Sequence, residues 1–493
     1  MTRHGTSVTP GCHHYLHDQR AHRCRVTRGL ARLDDSVGDA IEAVTRRHHR
    51  RRLQRHGWGH VFGAENGWAD GDPGPRAGNH LDVHIDGAQA LPAIAAAIRA
   101  ARSSVHIAGW AIAPSFALER EPAFVTLRDL LADAAERVDV RVLTWAGAPV
   151  PFFHPTRAEA RSALDALLAG TRIRGGLDRR NRPMHCHHEK LVVVDGTLAF
   201  VGGIDLTDLG GDRWDTSPHP GRPRLGWHDV AASLTGPCVA DVASHFAMRW
   251  EATTGERLVA ATVPSPAGDS RVQVVRTVPE NTYPALPRGD FGIAQAYLGA
   301  LRSARRLVYL ESQFLWSAEL VAVLREKLLR PPTDDFRLCI VLPARPNNGN
   351  DDTRGQIGVL EAADRHRRLL VGTIGPPGPR QPPVYVHAKV GVVDDDWLTV
   401  GSANLNEHSL FNDTEVNLVT DDAALARNVR ERLWSEHLGQ DCRGRDPLEV
   451  IETEWRRSLS STADNARPLR PLPSASRRSA RLLGPLKGLL VDG

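Results

Sequence analysis

At 493 residues the chain is long enough for two domains with substantial cores. Its formal charge is +4, but residues 1–57 carry twelve arginines against five acids, leaving the remainder slightly acidic, which counts mildly against the extended basic surface of a nuclease. No apolar run is long enough to span a bilayer, the amino terminus lacks a signal peptide's apolar core and cleavage site, and six scattered cysteines without a CxxC pair fit reduced thiols in a cytosolic protein.

Residues 1–79 read as a basic, flexible extension with one helix near Asp34–Leu53 and turns around Gly71–Gly78. Its cluster Cys12, His13, His14 and His17 is too closely spaced for a familiar zinc site. The run Arg46–Arg55 reads as solvated, with contact to anionic lipid as the functional alternative. From Leu81 an alternating α/β pattern begins: the strand LDVHID, a helix carrying Leu91, Ile94, Ala95 and Ile98, and the strand SVHIAGWAI. After a linker around Val263–Gly268 the pattern restarts, with a helix carrying Ile293, Tyr297 and Leu301 and the strand LVYLESQFL. Aligning ARSSVHIAGWAI with ARRLVYLESQFL gives an offset of 203 residues, and VDVRVLTW matches FRLCIVLP farther on. Similar order at a nearly constant offset indicates an internal duplication, with units at 80–262 and 269–455. The tail, 456–493, is rich in Arg and Pro, and its last leucines suit either an amphipathic membrane contact or an element tucked against the body.

Within this frame one layout occurs twice: His188, Lys190, Asp195, Gly202 and His387, Lys389, Asp394, Gly401. The chain has four lysines against 58 arginines, and two of the four stand here. Leu191–Val194 and Leu198–Val201 are apolar runs around the turn signal Asp195-Gly196, so the stretch reads as two antiparallel strands. Residues two apart on a strand share a face, so each copy presents an imidazole beside an ammonium. Two imidazoles and two lysines suit a phosphodiester. One His attacks phosphorus, the other passes a proton to the leaving alcohol and takes one from the incoming nucleophile, and the lysines stabilise charge on the equatorial oxygens. That scheme requires no metal, and no cofactor is expected.

These stretches resemble the paired HKD signatures of the phospholipase D superfamily, and HHEKLVVVDG followed by FVGGIDL is similar to the amino-terminal signature of its phospholipid-cleaving branch. The resemblance runs through DRWDT, GWHDVAASLTGP, HFAMRW, YLESQFL and GSANLNEHSL, roughly Leu81–Trp455. It implies an α/β fold of two duplicated units packed about a pseudo-two-fold axis, with the active site between them. It implies His188 as nucleophile and His387 as general acid and base, an order the residues alone leave open. It places orienting carboxylates at Asp229 and Glu415. Asp195 and Asp394 complete the signatures, although their strand-end position suits holding a turn. Gly203, Ser402 and Asn404 fall where the family lines its substrate site; the first copy has Asp205 where the second has Asn404, and a carboxylate cannot donate to a phosphate oxygen. Trp110 and Gln313 occupy matching places and suit either the groove or the core. His185, Cys186 and His187 invite a metal reading, but strand neighbours face opposite ways, so His187 and His188 cannot easily share an ion. Trp214 and Asp215 suit loop structure, and His408 a surface position.

The expectation is a monomeric enzyme, cytoplasmic or peripherally attached to a membrane, that cleaves a phospholipid headgroup phosphodiester with water or an alcohol as acceptor. Nucleic acid is not an expected partner. The alternatives are a cardiolipin synthase-type phosphatidyltransferase and a nuclease of the same superfamily, the latter favoured only if the amino-terminal arginines fold beside the site. A non-catalytic membrane-binding protein would predict a broken signature, and both copies are intact.

Overall fold

A computed structural model of the chain describes residues 36–150, 153–182, 185–217, 219–220, 225–347, 350–375, 384–460 and 468–475. The Cys12–His17 cluster and the last leucines lie outside the described residues. The chain builds mixed α/β layers around one long sheet. From one edge the strands run Arg174–Asp178, Asp139–Trp145, Ser104–Gly109, Leu191–Val194, Leu198–Gly202, Val230–Thr235 and Arg76–Ile85. The sheet continues through Ser270–Val278, Glu415–Thr420, Trp397–Gly401, Val390–Val393, Leu307–Glu311, Arg337–Val341, Leu369–Ile374 and Leu469–Pro471. The join is the antiparallel contact of Arg76–Ile85 with Ser270–Val278. Outward from it, both sides show the same succession, antiparallel pairs first and a parallel trio at the far side. The short strand Leu469–Pro471 caps the trio of the second side, so part of the tail is tucked into the body.

Burial explains the strand composition. Leu191–Val194 and Val390–Val393 are buried throughout, as expected of strands covered on both faces. On one face the helices Val239–Thr254 and Ala423–Leu438 lie over a core shared by both halves, including Phe246, Trp250, Leu433 and Trp434. On the other face each half has its own core. Gly87–Ala100 contributes Leu91, Ile94 and Ile98 to one, and Gly292–Ser303 contributes Ile293, Tyr297 and Leu301 to the other. Both are the helices that the apolar spacing predicts.

The expectation of a flexible extension is corrected over its described part. Residues 36–55 form a helix, and the chain beyond it packs on the second half. Leu53 and Val61 are buried with Phe291 and Leu298. Arg52 is buried, binds both oxygens of Glu280 at 2.8 Å and donates to Asn412 Oδ1 at 2.7 Å. Arg50 pairs with Glu319 at 2.7 and 2.8 Å, and His49 stacks on Phe411. The run read as solvated is therefore partly neutralised inside the protein. The acids that do this lie more than 200 residues away, beyond the reach of composition.

The signature aspartates hold turns. Asp195 (φ 54°) and Gly196 (φ 65°) form a left-handed pair between the two strands, as do Asp394 and Asp395 in the second copy. The Asp195 carboxylate accepts from the backbone N–H groups of Arg102, Ser103 and Ser104. Asp394 accepts from those of Arg305, Arg306 and Leu307, each at 2.7 Å. Each stands seven residues beyond its histidine, about 23 Å along an extended chain. Asp195 and Asp394, which complete the signatures, are thus placed to tie the hairpin to the start of the neighbouring strand and not beside the histidines. Asp394→Ala is expected to cost about 1–3 kcal/mol of stability and to leave kcat/KM within about threefold of wild type, checked by denaturant unfolding alongside initial rates.

Candidate active site

Alternation along the strand sorts the first signature into two faces. His188 and Lys190 turn one way, His187 and Glu189 the other. The second pair joins a buried network behind the strand: Glu189 meets Arg249 and, at 2.9 Å, His245 Nε2, while Asp178 accepts from Tyr283 Oη at 2.6 Å and Arg249 Nη2 at 2.9 Å. His187 and Arg249 hold Asp178, and Arg249 and His245 hold Glu189, far below the ordinary carboxylate range despite burial. HFAMRW thus contributes His245 and Arg249, which clamp the signature strand from beneath.

On the front face the two halves cross. His187 bridges to Thr414, and His188 N–H donates to Thr414 O at 2.9 Å. Tyr385–Val386 pairs with Trp227–His228, and His387 N–H donates to His228 O at 2.8 Å. Each signature histidine is thus laid by backbone pairing against the segment that carries the other half's carboxylate. His188 Nδ1 lies 2.9 Å from Glu415 Oε1, and His387 Nδ1 lies 2.7 Å from Asp229 Oδ2. With Nδ1 engaged, the ring's reactive nitrogen is Nε2, on the side away from the carboxylate.

Supporting contacts set these pairs. Glu415 also accepts from Ser409 Oγ at 2.6 Å and from Ser402 Oγ. Asp229 accepts from Val230 N at 2.8 Å and fills the space where a Cβ on Gly203 would stand, 2.1 Å from its Oδ1. A side chain at position 203 would therefore displace the carboxylate. Gly203 and Ser402, expected on the substrate side, instead seat Asp229 and Glu415. Asn404 is buried and donates to Gln313 Oε1 at 3.3 Å, and Gln313 donates to Tyr385 Oη at 2.8 Å. Lys190 donates to His188 O at 2.6 Å and pairs with Asp205 at 3.2 Å. Lys389 donates to His387 O. Asp205 is thus the counter-ion of Lys190 and accepts from Trp110 N at 3.2 Å. Trp110 sets its ring edge-on to His188, centroids 6.4 Å apart.

The arrangement is buried: His188, Lys190, His387, Lys389, Asp229 and Glu415 are each no more than 4 % exposed. Burial is the largest influence on every shift. It lifts Glu415 well above its ordinary value and raises Asp229 to about 7. It pushes His387 well down, helped by Lys389, Arg213 and Lys190. Each of these directions disfavours an uncompensated charge inside the protein.

Arg213 lies in the stretch DRWDT. Its guanidinium stacks 3.2 Å from the Trp227 ring centroid, and Trp227 lies 4.4 Å from the His387 ring. Nη2 donates to Leu209 O at 2.8 Å, whereas Nε and Nη1 are buried with no hydrogen-bond partner among the described residues. Trp110 Nε1 is in the same state. Unmatched buried donors beside two imidazoles fit an anionic substrate. The available sequence signal was its place in the stretch DRWDT, beside Trp214.

A family model described as "Cardiolipin synthase, PLD-like domain" matches residues 298–436. "Phospholipase D A" of Dictyostelium discoideum is 26% identical over 73% of this chain and 36% of its own length. "Phospholipase D alpha 4" of Arabidopsis thaliana is 24% identical over 70% and 62%. "Cardiolipin synthase A" of Pseudomonas entomophila (strain L48) is 27% identical over 83% and 75%. The chain thus spans about a third of the Dictyostelium protein and under two thirds of the Arabidopsis one. Among solved structures, a phosphatidylserine synthase of Haemophilus influenzae Rd KW20 superposes with a TM-score of 0.48 at 14% identity, over 72% of this chain and 85% of the other.

Proposed function

The chain belongs to the phospholipase D superfamily, and from that premise we propose that it cleaves the headgroup phosphodiester of a phospholipid through a phosphohistidine intermediate. The observation that carries the reading is the pair of crossed His–carboxylate contacts, His188–Glu415 and His387–Asp229. In the first step His188 Nε2 attacks phosphorus, the bond to the headgroup oxygen breaks, and His387 gives that oxygen a proton. In the second step His387 takes a proton from water or an alcohol, which attacks phosphorus and releases His188. Lys190, Lys389 and Arg213 stabilise charge on the equatorial oxygens. The depressed basicity of His387 keeps it neutral before substrate arrives; the bound phosphodiester anion offsets the three cations and lets His387 carry the proton the first step needs.

The same strand succession on either side of the join supports a duplicated architecture, units 80–262 and 269–455 about a pseudo-two-fold axis, with the site where they cross. The substrate is a phospholipid met at a membrane surface by a monomer. No helix among the described residues is long and apolar enough to cross a membrane. Transfer to a lipid alcohol, as a cardiolipin synthase performs, is a second reading; the family model over 298–436 and the Pseudomonas relative favour it. Both readings use the same histidines and differ only in the acceptor. A nuclease would need free amino-terminal arginines beside the site, and among the described residues Arg50 and Arg52 are already paired with Glu319 and Glu280, which weighs against that reading.

Purified protein incubated with mixed phospholipid vesicles and a small primary alcohol is expected to yield phosphatidic acid together with the phosphatidyl-alcohol. The alcohol adduct marks a transferable intermediate, and the product ratio measures how well water competes. Absence of lipid products alongside cleavage of single-stranded DNA or RNA would overturn the reading.

A further inference from the structure

Beside the His188–Glu415 contact, the loop entering the first signature meets the segment entering Glu415. His185 Nδ1 stands 3.2 Å from His408 Nδ1 and 3.3 Å from an Asp413 oxygen, Oδ1. His408 Nδ1 is 3.8 Å from the other oxygen, Oδ2. All three residues are buried, Asp413 completely. We propose that His185, His408 and Asp413 bind one borderline divalent transition ion of the Zn²⁺ class, which ties the two halves together beside the reacting histidine.

The donor spacing carries the assignment. A tetrahedral zinc ion with bonds of about 2.0–2.1 Å holds neighbouring donor atoms about 3.3–3.4 Å apart, and His185 Nδ1 stands close to that spacing from both its neighbours, at 3.2 and 3.3 Å. Hydrogen bonding alone leaves the cluster unsatisfied. Two facing imidazole nitrogens can share one proton. Asp413 Oδ1 accepts from Cys186 N at 2.9 Å, but Oδ2 is buried with no hydrogen-bond partner among the described residues. A buried carboxylate oxygen without a donor is costly, and a cation removes the cost. Two imidazoles and a carboxylate suit Zn²⁺ and its first-row neighbours, whereas Ca²⁺ and Mg²⁺ take oxygen donors. The contrast inside the molecule is His228. It lies 2.8 Å from both Asp86 and Glu311, which raise its basicity, so it closes its own cluster as an imidazolium.

The ligands explain why the ion stands where it does. His185 precedes His188 by three residues, Asp413 precedes Glu415 by two, and His408 precedes Ser409, a donor to Glu415. An ion here fixes the segments that set the His188–Glu415 hydrogen bond without touching substrate. The set-aside metal reading paired His185 with its sequence neighbours; the partners come instead from the far half, and His408 is buried, not on the surface.

The test is metal content, which does not depend on the reaction proposed above. The full chain is stripped with a chelator, dialysed against micromolar Zn²⁺ and then buffer, and analysed by mass spectrometry of the metals. One ion per chain is expected in wild type, and near none in His408→Ala and in Asp413→Asn, with circular dichroism as the folding control. Reconstitution with Co²⁺ should give the intense visible bands of a four-coordinate site in wild type and none in His408→Ala. Zinc retained equally by wild type and folded variants overturns the assignment, and so does a wild type that holds no ion. If a variant does not fold, the wild-type Co²⁺ spectrum decides alone, and no visible band at excess Co²⁺ refutes the site. Lost headgroup release with metal content intact would instead sink the reaction and leave the site standing.

Discussion

Replacing His188 with Asn is expected to lower headgroup release by at least about 10⁴-fold, and His387→Asn to do the same. The size follows from the absence of a substitute. His187 is drawn to Thr414 Oγ1 at 2.8 Å on the opposite face, and His228 is held between two carboxylates. Neither reaches phosphorus without breaking a buried network. Asn keeps a short polar side chain beside the partner carboxylate, so the fold should survive, as circular dichroism would show. The two variants also separate the roles. With phospholipid labelled in the phosphatidyl group, His387→Asn should slowly accumulate covalently labelled protein on acid-free quenching, because the second step lacks its base. His188→Asn should accumulate none. The reverse pattern would exchange nucleophile and acid, and more than about a hundredth of wild-type activity in either variant would sink the two-histidine mechanism.

The repeated elements were legible because they are local. Apolar period marks the strand Leu191–Val194 and the helix Gly87–Ala100, and spacing places His188 with Lys190. What the sequence could not give is pairing across the halves. Asp229 and Glu415 were recognisable as carboxylates, yet nothing local says that each meets the signature histidine far along the chain, 158 and 227 residues away. The backbone crossings at Thr414 and His228 decide that. Ser402 and Gly203 occupy the expected places but act behind the carboxylates, because burial at position 203 leaves room for Asp229 only if there is no side chain. The amino-terminal arginines misled for the same reason: Glu280 and Glu319 reach them through folding alone. His408 read as a surface residue because its neighbours Glu407 and Ser409 are polar, yet all three are buried.

The crossed carboxylates give the second large effect. Glu415→Gln is expected to lower kcat by about 10³-fold, with Asp229→Asn similar. A carboxylate fixes His188 with its proton on Nδ1 and leaves Nε2 a base; an amide can present an N–H instead, which reverses the tautomer and removes the nucleophile. Because Glu415 acts through His188, adding Glu415→Gln to His188→Asn should cost little more than His188→Asn alone. Adding it to Asp229→Asn should multiply the two losses, since these belong to separate pairs. Equal non-additivity in both combinations would refute the crossed pairing. Acidity offers an independent handle. Burial raises Asp229 to about 7, so as pH falls through that value it gains a proton and can no longer accept from His387 Nδ1. The kcat/KM of wild type, which reports groups of the free enzyme, should therefore decline below about pH 7, and Asp229→Asn should lose that limb while lying below wild type at neutral pH. A limb that persists in Asp229→Asn would mean another group governs it, and the His387–Asp229 contact would then orient the ring without setting its proton.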